Sequence, residues 1–107
     1  MNQDLQVKSR VKEILKTVQE VAPGNSVELR IPPYAAIQCV AGSVHRRGTP
    51  PNVVEMSGDT LLKLVEDPTC WEKFCDEGLI SASGTNANLE DLFTQVGKLD
   101  TSSKQGM

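Results

Sequence analysis

The sequence predicts an α+β domain: a mainly antiparallel sheet of about four to five strands covered on one face by helices. Three observations predict it. Residues 4–22 carry apolar side chains on a helical period. Residues 27–31 alternate with a period of two, and strand character resumes over 34–41 and 52–56, the segments being separated by proline and glycine. The second half alternates capping residues with short leucine-rich runs around one further strand.

In the first element, Val7, Val11, Ile14, Leu15, Val18, Val21 and Ala22 recur at spacings of three and four. They form one stripe of an amphipathic helix, with Lys8, Lys12, Lys16, Glu13 and Glu20 largely elsewhere. Pro23, Gly24 and Asn25 stop it and turn the chain. Val27, Leu29 and Ile31 then alternate with Glu28 and Arg30, as in a half-buried strand. Pro32 and Pro33 remove two consecutive amide donors, so the ladder has to break there or that edge has to face solvent. Strand character resumes over residues 34–41. The small side chains Ala35, Ala36 and Ala41 leave space above the sheet, for the first helix or for a pocket.

Residues 42–51 read as a loop and residues 52–56 as a strand, Val54 and Met56 on one face and Val53 and Glu55 on the other. Asp59 is the expected cap of a helix holding Leu61, Leu62, Leu64 and Val65. Asp67-Pro68 restarts the helix, with a cap residue followed by proline at the first helical position. Trp71, Phe74 and Cys75 supply its buried face. Residues 79–83 form a short strand, and Asn88 caps a last helix that buries Leu89, Leu92, Phe93 and Val96. A single domain is expected over residues 1–96. Residues 97–107, polar and rich in Gly, Ser and Lys, are expected to be a disordered tail.

Composition removes several function classes. The chain has 107 residues, of which 38% are hydrophobic, and no run approaches the ~18 apolar residues of a membrane span. Charged residues interrupt the start of the chain, leaving no apolar signal region. A cytoplasmic protein without stable membrane insertion is the expectation. The three cysteines, Cys39, Cys70 and Cys75, form no paired framework, and the one histidine does not complete a zinc set. No metal or cofactor is expected. Residues 1–54 carry seven Lys/Arg against four Asp/Glu, and residues 55–107 four against ten. The acidic second half argues against a nucleic-acid partner. The asymmetry suits solvated helix faces, or association of copies into a homodimer.

The element order, with the segments SGDTLLKLVEDP, WEKFCDEG and LISASG, resembles the sterol carrier protein type 2 family. The stretch IPPYAAIQCVAG…HRRGTPPNVVE further resembles a small bacterial branch of sterol-carrier-like proteins. It is also similar to the C-terminal domain of mycothiol-dependent maleylpyruvate isomerases. These segments cover about residues 26–95. The resemblance implies a helix-covered sheet, often with an apolar cavity for a sterol, fatty acid or acyl-CoA. The isomerase metal site belongs to a different domain, so no isomerase activity carries over.

No catalytic constellation stands out. Cys39 sits in an apolar strand, where a thiol is usually inert, and Ser81 and Ser83 lack an elbow motif. The expected function is therefore non-enzymatic: a binding module for a lipid, fatty acyl or other apolar ligand. The alternative is a protein-interaction or dimerisation domain with a filled core. Candidate ligand-binding residues are Tyr34, His45, Arg46, Arg47, Asn52, Trp71 and Phe74. The Arg pair offers a two-pronged grip on a carboxylate or phosphate, unless an internal acid such as Glu55 takes it. Tyr34 lines a pocket mouth or packs on the prolines. Trp71 and Phe74, at helical spacing, read as core first and as aromatic walls of any pocket second.

Overall fold

Alternation builds the sheet that the sequence anticipates. In the computed structural model the backbone is described for residues 2–43 and 48–105, and side chains for residues 4–43 and 48–99. Strand β1 is Val27–Ile31, β2 Ala35–Cys39, β3 Asn52–Met56 and β4 Ile80–Ser83. Their order across the sheet is β2-β1-β3-β4. Two of the three pairings, β1 with β2 and β3 with β4, are antiparallel, and β1 with β3 is parallel. Among the described residues, no helix lies between β1 and β3 in the chain. Val27 is opposite both Cys39 and Asn52, so the chain leaving β2 reaches β3 across the start of β1. That crossing spans two strand spacings, roughly 10 Å.

Helix α1 (Asn2–Val21) lays its stripe on one sheet face; Val11, Ile14, Leu15 and Val18 are at most 3% exposed. Beneath them Val27, Leu29, Ile31 and Cys39 are fully buried. Helix α2 (Gly58–Glu66) adds Leu61 and Leu64, and helix α3 (Trp71–Asp76) adds Trp71 and Phe74. Helix α4 (Glu90–Gln105) contributes Phe93, the largest fully buried side chain.

The other sheet face carries no helix. It presents Glu28, Arg30, Glu55 and Ser81 to solvent or half-buried. There Arg30 donates to Glu28 at 2.9 Å and lies 3.8 Å from Glu55. The hydrogen bond to Glu28 is the first cause holding the Arg30 guanidinium above its usual range. Arg30 is therefore paired with acids of its own chain, on a side chain that is 47% exposed.

Two boundaries differ from the sequence reading. The cap of α2 is Ser57, whose Oγ accepts from the Thr60 N–H at 3.1 Å. Asp59 sits one position further in, where its charge still favours the helix N-terminus. The last helix also continues through Gly97, past the expected end of the folded domain. Glycine there serves a close approach. A Cβ on Gly97 would stand 2.8 Å from the Val65 carbonyl oxygen at the end of α2. Gly97→Ala is consequently expected to destabilise by about 1–2 kcal/mol, because backbone has to move. The usual gain of ~1 kcal/mol for alanine over glycine in a helix does not offset it. A fall in the denaturation midpoint on chemical unfolding checks the sign.

Candidate functional site

The polar hub of the molecule lies at the start of β1 and β3, where the chain crosses. Ser26 immediately precedes β1 and is 4% exposed. Its N–H and its Oγ both donate to the Val40 carbonyl, at 3.0 and 2.9 Å. The Val40 N–H donates to the Ala22 carbonyl at 2.7 Å. These bonds hold Val40 at φ +66°, in the left-handed region that a β-branched residue rarely enters. An outlier of this kind costs about 1–3 kcal/mol and persists only when its surroundings over-determine it.

Asn52, 2% exposed, ties this corner to the β4–α4 connection. Its Nδ2 donates to the Ser26 carbonyl at 2.8 Å, and its Oδ1 accepts from the Asn86 N–H at 2.9 Å. Gly84, at φ +111°, lets that connection pass against Asn52; a Cβ there would strike the Asn52 Oδ1. Asn88 then accepts from the Glu90 N–H at 2.9 Å and caps α4, as the sequence anticipates.

Around this hub opens a cleft of about 490 Å³. Its apolar wall is Ala22, Val40, Ala41, Leu89 and Leu92, and its polar wall is Ser26, Thr85, Asn86, Asn88 and Gln95. The volume falls within the ~300–1,000 Å³ of typical small-molecule sites. A second cleft of about 320 Å³ lies beyond the other end of β1, between Pro32, Pro33, Tyr34, Asp4 and Asp59. A shallower depression of about 370 Å³ adjoins it on the bare sheet face, over Arg30, Ala36 and Glu55.

The residues nominated from sequence are not brought together. Tyr34 is half-buried beside the second cleft. Asn52 stands at the opposite end of the sheet, and both ends of its carboxamide are used inside the chain. Trp71 and Phe74 are core residues, 3% and 8% exposed, and line none of the three clefts. His45, Arg46 and Arg47 lie outside the described residues. Sequence reasoning missed Ser26, Thr85, Asn86 and Gln95. The one available signal was the six-residue connection 84–89, with two asparagines, at the upper end of the usual two to six residues.

All three thiols are shifted away from the thiolate form. Burial pushes the Cys39 thiol up to about 11, and Cys70 and Cys75 are also raised, chiefly by desolvation. Cys39 is fully buried, whereas Cys70 and Cys75 are half-buried. At pH 8, Cys70 and Cys75 are expected to react with a thiol reagent in the folded protein. Cys39 should react only on unfolding, as peptide mapping of the labelled protein will show. Cys39 also sets a stability window. Its folded value lies above the unfolded value near 9.0, so its contribution is complete below pH 9 and is lost as pH rises toward 11.

Among the described residues, no group of three or more His, Cys, Asp or Glu side chains is placed to hold a metal ion. Among them, too, no helix is long and apolar enough to cross a membrane. Comparison with protein families gives a match over residues 3–94 to the family described as "Bacterial SCP ortholog", where SCP denotes sterol carrier protein. No curated protein matches the chain. The matched span takes in every strand and the whole of the cleft wall up to Leu92. The chain belongs to this bacterial sterol carrier protein-like family.

Proposed function

We propose that this sterol-carrier-type module acts without catalysis, seating the apolar part of a lipid or acyl amphiphile in the cleft between the end of α1 and the start of α4. The observation that carries the reading is the mixed lining, aliphatic and uncharged polar. Leu89, Leu92, Val40, Ala41 and Ala22 supply aliphatic lining, and the remaining lining residues are polar and uncharged. Leu89, 3% exposed, belongs to the main core, so a ligand tail there extends the packed interior. Each methylene removed from water contributes about 0.8 kcal/mol, enough for a short chain to be retained.

Native mass spectrometry with added dodecan-1-ol tests this. The expected result is a one-to-one adduct, lost in Leu92→Asp and Ala41→Trp and kept in Tyr34→Ala, which alters the opposite end of the sheet. No adduct with the unmodified protein, or an adduct indifferent to Leu92→Asp and Ala41→Trp, overturns the reading.

A further inference from the structure

We infer that the cleft takes amphiphiles with an uncharged hydrogen-bonding head, such as an alcohol, ester or amide, in preference to carboxylates, and that Asn86 reads the head. The inference rests on the cleft reading above and adds the ligand's head chemistry to it.

The described lining contains no ionisable side chain. Thr85, Asn86 and Gln95 line the cleft, and none of these three side chains makes a hydrogen bond within the described residues. Each can donate and accept, so together they match a hydroxyl or carbonyl head, which needs no counter-charge. A carboxylate is acceptor-only, and removing it from water without a cationic partner is costly.

A helix N-terminus beside the cleft ordinarily favours an anion. In α4 that advantage is already used. Asn88 takes the Glu90 N–H, and Glu90 and Asp91 place two carboxylates in the first turn. An incoming carboxylate meets like charge there. Asn52 completes the arrangement as a positioning residue. By holding the Asn86 N–H from inside the protein, it fixes where the Asn86 carboxamide stands relative to Leu89 and Leu92.

The test is displacement of the neutral dye Nile red by dodecan-1-ol and by dodecanoate at pH 8. The tails are alike, so the comparison isolates the head. The expected result is half-displacement by the alcohol at a free concentration at least tenfold lower. In Asn86→Ala, an exposed position whose loss leaves the core intact, the ratio should fall below about threefold. Dodecanoate displacing as well as or better than the alcohol overturns the inference; an anion grip by Arg46 and Arg47 produces that outcome. A full tenfold preference persisting in Asn86→Ala overturns the role of Asn86. Nile red that binds but yields to neither ligand defeats the cleft reading itself, and the head preference with it.

Discussion

Replacing Asn52 by leucine is expected to lower stability by about 2–4 kcal/mol, although the two side chains have the same number of heavy atoms and the same branching. The cost comes from what is left behind. The Asn86 N–H loses its acceptor, and the Ser26 carbonyl loses its 2.8 Å donor, keeping only the weaker 3.3 Å bond from the Asn52 N–H. A buried group stripped of its partner costs about 1–3 kcal/mol. Asn52→Asp makes the same point by charge. Its acceptor still serves Asn86, but a carboxylate oxygen then faces the Ser26 carbonyl. The folded pKa of that aspartate is expected to rise above its unfolded value, because only the neutral acid can donate to Ser26. The variant should therefore be nearest to the unmodified protein below pH 4 and fall further behind as pH rises. Urea unfolding at pH 4 and pH 7 measures both variants. A leucine variant within 0.5 kcal/mol of the unmodified protein (about experimental error for such fits) removes Asn52 as the hub of this corner.

The second large effect is at Phe93. Its ring is fully buried on α4, one residue beyond Leu92 of the cleft wall. Phe93→Ala removes the ring and leaves a cavity among Val, Leu and Ile side chains that are themselves fully buried. Losses of about 3–5 kcal/mol are usual for such truncations. A chain of this length has a total stability of order 5–15 kcal/mol, so the variant should show a much lower thermal midpoint or fail to fold. Leu5→Ala, at a position 66% exposed, is the matched control and should shift stability by less than ~0.5 kcal/mol. Equal losses at the two positions contradict the assigned core.

These residues also show what the chain discloses before folding and what it withholds. The strands and helices were legible because their signals are local. Val27, Leu29 and Ile31 alternate within five residues, and the α1 stripe repeats within four, so burial follows from spacing alone. The Pro32-Pro33 break was legible for the same reason, and β1 does end at Ile31. Gly97 was misread because its role depends on the Val65 carbonyl, 32 positions earlier in the chain. Read locally, a glycine in a polar run signals an end; in three dimensions it marks where two helices touch. The β1–β3 parallel pairing was likewise not specified by periodicity, which is blind to strand direction.

The cleft was the least legible part. Its walls come from residues 22, 26, 40–41, 85–86, 88–89, 92 and 95, separated pieces whose meeting is set by the fold. Unusual residue types drew attention elsewhere. Trp71 and Phe74 are conspicuous in sequence because aromatics are scarce in this chain, yet both are spent on packing. Asn52 was nominated as a ligand contact, and its carboxamide is bonded to the Ser26 carbonyl and the Asn86 N–H. Small and polar residues of ordinary appearance, among them Ala22, Ala41, Thr85 and Gln95, form the cleft wall.

The most direct test of the account is a nitrogen-15 NMR titration of the full chain with dodecan-1-ol. Saturable shifts should concentrate on the amides of Ala22, Val40, Ala41, Asn86, Leu89 and Leu92, with Tyr34, Gly58 and Asp59 unmoved. Shifts confined to the Tyr34 end of the sheet, or no saturable shift at any ligand concentration below the solubility limit, contradict it.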